Sequence, residues 1–167
     1  MGEYKFKTKP YNHQLKALEK SWDKEYYGLF MEMGTGKSKV LIDEIASLYM
    51  RGKISAALIV APKGVYRNWE RGEIPTHMPD EIPLHVAAWK APSEMTIQDK
   101  KDLKEILIVN GRLRILLMNV EAFSGTKGSK FAAQFLHKSN TLMSVDESTT
   151  IKTPSAARTK NILKIGK

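Results

Sequence analysis

Met31-Glu32-Met33-Gly34-Thr35-Gly36-Lys37-Ser38 lies between an apolar run, Tyr27 to Met31, and an amphipathic stretch, Ser38 to Met50. Glycines at 34 and 36 let backbone N–H groups turn toward phosphate oxygens, and a helix beginning near Lys37 adds the positive end of its dipole. Lys37 is then placed to neutralise β- and γ-phosphates, and the Ser38 hydroxyl to hold magnesium. The general phosphate-loop pattern opens on a glycine, and Met31 stands in that position here. A glycine turn that merely caps a helix does not need strand, loop, Lys-Ser and helix in that order.

Working outward, five short apolar runs have the length and near-continuous hydrophobicity of central parallel strands: Tyr27 to Met31, Ala56 to Ala61, Leu84 to Ala88, Leu113 to Met118 and Thr141 to Val145. Helical patterns fill most of the gaps. Ser38 to Met50 groups Val40, Leu41, Ile45 and Leu48, and Ile97 to Val109 groups Ile97, Leu103, Ile106 and Leu107. This βαβ alternation predicts an α/β domain, a parallel sheet with helices on both faces. Glu73 to Pro83, with Pro75, Pro79 and Pro83, is expected to be an irregular surface connection, and Ser124 to Lys130 a flexible basic loop.

The last apolar run leads directly into Asp146-Glu147. Parallel α/β sheets form their ligand sites at the carboxyl ends of strands. Asp146 is therefore expected to reach the magnesium held by Ser38, and Glu147 to orient or deprotonate an attacking water. An isolated Asp-Glu is ordinarily a solvated turn; its place after a buried strand and beside a phosphate loop separates it from that background.

Composition narrows the partners. The 167 residues, 42% of them hydrophobic, suffice for one core, and a second domain has no room. There is no cysteine, so disulfides and thiolate metal sites are excluded, and His13, His77, His85 and His137 are scattered. No apolar run reaches membrane-spanning length, and the first residues lack a signal core, which predicts a soluble chain of the cytoplasm or nucleus. A net charge of +9 favours a polyanionic partner such as nucleic acid.

Taken together, these segments resemble helicase superfamily two, and within it the Swi/Snf-type double-stranded DNA translocases, over nearly the whole chain. Glu32 to Ser38 is similar to that family's Asp-Glu-Met-Gly-Leu-Gly-Lys-Thr loop. Lys9-Pro10-Tyr11-Asn12-His13-Gln14 resembles its Arg-Pro-Tyr-Gln element, whose glutamine reads adenine, a role that falls to Gln14. Val60-Ala61-Pro62-Lys63 with Asn68-Trp69-Glu70 resembles its Val-Ala-Pro and Asn-Trp segments, and Leu117 to Glu121 its Thr-Thr-Tyr-Glu segment. Asp146 to Ser155 is similar to Asp-Glu-Ala-His-Arg-Ile-Lys-Asn-Pro-Ser; Thr149 departs from it, where the family carries histidine or glutamine to link nucleotide and nucleic acid.

The resemblance implies a RecA-like P-loop lobe spanning 1–167. ATP would be bound by Gln14, Met33, Gly34, Thr35, Gly36, Lys37 and Ser38, Mg2+ by Ser38 and Asp146, and catalysis would rest on Lys37 and Glu147. It also implies backbone contacts to nucleic acid, duplex DNA in particular, from Pro62, Lys63 and Asn119. In that family a strand and a Thr-Gly-Thr-Pro-like motif follow Ser155 to Ile165, and a second RecA-like lobe completes the ATP site. The expected entity is thus a first lobe cut short of its last strands, weak in hydrolysis by itself. A small P-loop kinase or transferase acting on a metabolite is the alternative; it would need a lid of phosphate-binding arginines, and arginines are few here (Arg51, Arg67, Arg71, Arg112, Arg114 and Arg158). A silent nucleic-acid-binding module would leave Lys37, Ser38, Asp146 and Glu147 without a task.

Overall fold

In the computed structural model, residues 4–22, 24, 27–28, 31, 34–146 and 157–165 are described. Their elements run α1 (Asn12–Ser21), α2 (Lys37–Met50), β1 (Ala56–Ala61), α3 (Val65–Asn68), a π turn (Trp69–Glu73), α4 (Ile74–His77), β2 (Leu84–Ala88), α5 (Ile97–Glu105), β3 (Leu113–Asn119), a 3-10 turn (Val120–Ser124), α6 (Thr126–Leu136), β4 (Thr141–Val145) and α7 (Ala157–Ile165). The four strands form one parallel sheet in the order β2-β3-β1-β4. This is the α/β class that the alternating pattern predicts.

Strand periodicity divides the core in two. Ala57, Ile59 and Ala61 of β1 share one face with Leu113, Ile115 and Leu117 of β3, covered by Leu41, Ile42 and Ile45 of α2 and by Tyr66, Trp69, Ile74 and Met78. Ala56, Leu58 and Val60 look the other way with Leu116 and Met118, toward Leu103 and Ile106, Phe123, Ala132 and Phe135, and Ile162 of α7. With β1 and β3 buried on both faces, near-continuous apolar runs are what the chain must supply. The passage from β1 to β2 crosses the sheet in one direction, and those from β2 to β3 and β3 to β4 cross in the other. Right-handed crossovers then put α3 and α4 on one face and α5 and α6 on the opposite one.

Four strands are found among the described residues where five were expected. Within Tyr27 to Met31, residues 27, 28 and 31 carry no strand pairing and Tyr27 is exposed, while residues 29 and 30 lie outside the described residues. Glu73 to Pro83 is not an irregular connection throughout. Pro75 has no N–H to give the carbonyl of Arg71, and the chain answers with a widened turn in which the Ile74 N–H reaches Trp69 O before α4 begins. Ile74, Met78 and Ile82 from this stretch are buried.

Ser124 to Lys130 is likewise mostly helix: its polar, glycine-containing composition reads as loop, yet residues from Thr126 onward form the first turns of α6. Gly128 is needed there for approach, because a β-carbon would run into the carbonyl of Ala122 on the 3-10 turn. Ile97 opens α5 and is 89% exposed, so it does not share the buried face of Leu103 and Ile106. Arg114 on β3 is fully buried in the core: it donates to Ile106 O at 2.9 Å and to Ser139 Oγ, with its guanidinium over the Phe135 ring. It ties the end of α5 to the turn before β4.

Candidate functional site

Gly34 and Gly36 both adopt the left-handed region, with φ of +77° and +79°, and Gly36 is the residue from which α2 departs. A helix N-terminus entered through left-handed glycines is the geometry that receives an anion. Thr35 between them is pinned from outside. Its carbonyl accepts from His13 Nε2 at 2.9 Å and from Gln14 Nε2 at 3.2 Å, so His13 carries its ring proton on Nε2. Gln14 is only 3% exposed, and its Oε1 accepts the N–H of Tyr11 at 2.9 Å. The nitrogen end of the carboxamide thereby joins α1 to the loop, while the oxygen end caps α1 itself. Lys37 donates from Nζ to Met31 O at 3.0 Å, linking the two ends of the loop. Tyr11 is exposed beside it and stacks on His13, ring centroids 5.7 Å apart.

The loop sits at the carboxyl edge of the sheet because of the helix it opens. Helix α2, roughly 21 Å long at 1.5 Å per residue, is joined to β1 by residues 51–55 alone and must run back antiparallel to it. Its far end is fixed at the amino edge of the sheet: Tyr49 donates its hydroxyl to Gly111 O at 2.6 Å, just ahead of β3. The N-terminus of α2 therefore faces the edge where β1, β3 and β4 end in Ala61, Asn119 and Val145.

Asp146 continues β4 at that edge, its N–H bonded to Val60 O at 2.7 Å. Alternation along the strand puts residue 146 on the same face as Leu142, the face that α2 covers. There the Asp146 carboxylate accepts the indole N–H of Trp69, Oδ2 to Nε1 3.3 Å. Pro62 and Lys63 follow β1 directly; Lys63 is exposed, 4.0 Å from Glu94. Asn119 ends β3 and uses Oδ1 to accept the Ala122 N–H at 2.8 Å, capping the 3-10 turn. After β1 and after β3 the chain leaves in opposite directions across the sheet, so Pro62, Lys63 and Asn119 border the crevice where the winding reverses.

Met33, Glu147 and Thr149 lie outside the described residues. Trp69 is 2% exposed and belongs to the core. Lys127 and Lys130 are on α6 rather than a loop.

Sequence reading missed two polar groupings. In one, Lys39 and Asp43 of α2 form a buried pair at 2.7 Å, and the hydroxyl of Tyr4 donates to the same carboxylate at 2.9 Å. Burial pushes the Asp43 carboxyl above its ordinary range, while Lys39 and Tyr4 draw it back. With Lys39 beneath the Phe6 ring and Thr8 bonded to His77 at 2.7 Å, residues 4–8 are strapped over α2 and α4, leading into α1 and Gln14. In the other, His85 of β2 meets Asp102 and Glu105 of α5, their ligand atoms within 4.8 Å of one another. Asp102 also takes Gln98 at 2.7 Å, and Glu105 lies 3.9 Å from Lys101. The i, i+3 spacing of the two acids was the available signal.

No protein-family model matches the chain, and no curated protein matches it. Among the described residues no helix is long and apolar enough to cross a membrane.

Proposed function

We propose that this chain is the ATP-binding, first RecA-like lobe of a nucleic-acid-dependent ATPase of the Swi/Snf-like helicase type, working with a second RecA-like lobe. The observation that carries the reading is the left-handed Gly34 and Gly36 pair at the start of α2, on the same sheet edge and face as Asp146.

The donors suit a magnesium nucleotide. Backbone N–H groups of the loop and the N-terminus of α2 take phosphate oxygens, and Lys37 supplies a positive charge on a flexible stem. The Ser38 hydroxyl and the Asp146 carboxylate are hard oxygen ligands of the kind Mg2+ prefers. Bound magnesium would neutralise charge on the phosphates. Thr35, held by His13 and Gln14, stays in register for the phosphates, so α1 reports on the loop and need not only read the base. Glu147, next in sequence to Asp146, has the role of holding the attacking water and receiving its proton. Pro62, Lys63 and Asn119 border the adjoining crevice, where a nucleic-acid backbone brings phosphates that the net charge of +9 attracts.

The test is calorimetry of Mg-ATP binding to the chain and to Lys37→Ala. One charged hydrogen-bond donor is worth about 1.5–3 kcal/mol, so the variant should bind about 10- to 100-fold more weakly. Equal affinities would remove the site from this loop.

A further inference from the structure

We infer that Trp69 is a positioning residue for Asp146: its indole N–H holds the carboxylate in the orientation from which it would serve a bound Mg2+. The inference rests on the ATP reading and adds a residue to it.

Three features converge. Trp69 is 2% exposed, and a buried indole N–H must find an acceptor; Asp146 Oδ2, at 3.3 Å, is the acceptor it has. The bond is long-range in sequence, reaching from the turn after β1 to the end of β4, and it occurs because residue 146 falls on the face of the sheet that Trp69 packs against. Trp69 is also held from behind. The Ile74 N–H bonds to Trp69 O across the π turn that Pro75 imposes, and the ring lies in one cluster with Leu41, Ile42 and Ile45 of α2. The indole is thus fixed by the helix that begins at the phosphate loop, while its N–H fixes the carboxylate from the opposite strand. A carboxylate that gives one oxygen to a rigid donor has the other directed by its own plane, which is how outer hydrogen bonds orient metal ligands.

A tryptophan that only fills the core would affect nucleotide binding with and without metal alike. A positioning role acts on the metal alone. Binding of a non-hydrolysable ATP analogue is therefore measured by calorimetry in EDTA and across a Mg2+ titration, for the unmodified chain, Lys37→Ala and Trp69→Phe. Trp69→Phe should keep its affinity in EDTA and need about tenfold more Mg2+ for half of the metal-dependent gain, in line with losses of outer partners elsewhere. If the unmodified chain gains nothing from Mg2+ and Lys37→Ala binds as well as it does, the ATP reading fails and takes this inference with it. If the unmodified chain shows the gain and Trp69→Phe titrates identically, only the role of Trp69 is overturned.

A second measurement stands if Trp69→Phe does not fold. In 15N-labelled chain, Mn2+ added with the analogue should broaden the indole N–H signal of Trp69 beyond those of Trp22 and Trp89. Asp146→Asn should abolish that broadening. A Trp69 signal as sharp as the other two in the presence of Mn2+ would overturn the inference.

Discussion

The carboxamide of Gln14 occupies the space that a β-carbon on residue 36 would need. Gly36 thus answers two demands, a left-handed backbone and a close neighbour, whereas Gly34 has the same backbone with open space around it. Gly34→Ala should cost about 1–2 kcal/mol, the penalty for a side chain in that conformation. Gly36→Ala should cost more, and by displacing Gln14 it should release Thr35 and weaken ATP binding beyond what Gly34→Ala does. Urea unfolding and ATP calorimetry on both variants check the order; equal effects would show that the Gln14 contact carries no weight.

The buried Lys39 and Asp43 pair predicts an asymmetric response. Lys39→Met leaves a buried carboxylate short of its partner and should destabilise by about 3–5 kcal/mol, while Lys39→Met with Asp43→Leu should recover much of the loss. The pH dependence has a definite sign. The folded Asp43 carboxyl titrates above its ordinary value, so its ionisation opposes folding, an effect absent in acid that grows as pH rises through the folded pKa. Removing Lys39 enlarges it. The deficit of Lys39→Met, followed by urea midpoints, should be greatest near neutrality and shrink on acidification.

Asp99 gives the opposite sign. Lys90, at 2.6 Å, and the N–H of Thr96 hold its carboxyl down to about 2. With Thr96 it also forms the capping box of α5. Its folded pKa is depressed, so the stabilisation is present above the unfolded value, about 4, and is lost as pH falls toward 2. Asp99→Asn should cost up to about 1 kcal/mol, the worth of a partly exposed ion pair, at pH 6 and almost nothing at pH 2, as read by thermal unfolding at both.

For nucleic acid, duplexes of unrelated sequence should bind alike, with affinity falling steeply as salt rises. Lys63→Ala should weaken all of them uniformly and lower the magnitude of the salt slope by about 1. Fluorescence anisotropy over a salt series decides; strong discrimination between sequences would contradict a backbone-reading surface.

How much the sequence disclosed depends on how local each cause is. Ala56–Ala61 and Thr141–Val145 were legible to the residue, since a short unbroken apolar run has few other uses. The start of α2 was legible from its glycines and Lys-Ser. Pro75 and the Gly-Ser-Lys composition before Phe131 misled, because each was judged as a breaker when a π turn and a close helix contact absorbed them. The Trp69 to Asp146 bond was out of reach for a different reason. It depends on which strands are neighbours and on which face each residue falls, and strand order is not written in any local window.

That strand order also bears on how the chain is made. β1 lies between β3 and β4, and both partners are translated well after it. A ribosome delivering roughly 5–20 residues per second exposes the backbone of Ala-Ala-Leu-Ile-Val-Ala for seconds before either flank is covered. The segment is apolar, uncharged and free of proline, the composition that pairs with copies of itself. Nascent chains halted before Thr141 are consequently the species that chaperones must hold, and expression yield should respond to translation speed across residues 62–140 more than to the stability of the finished domain.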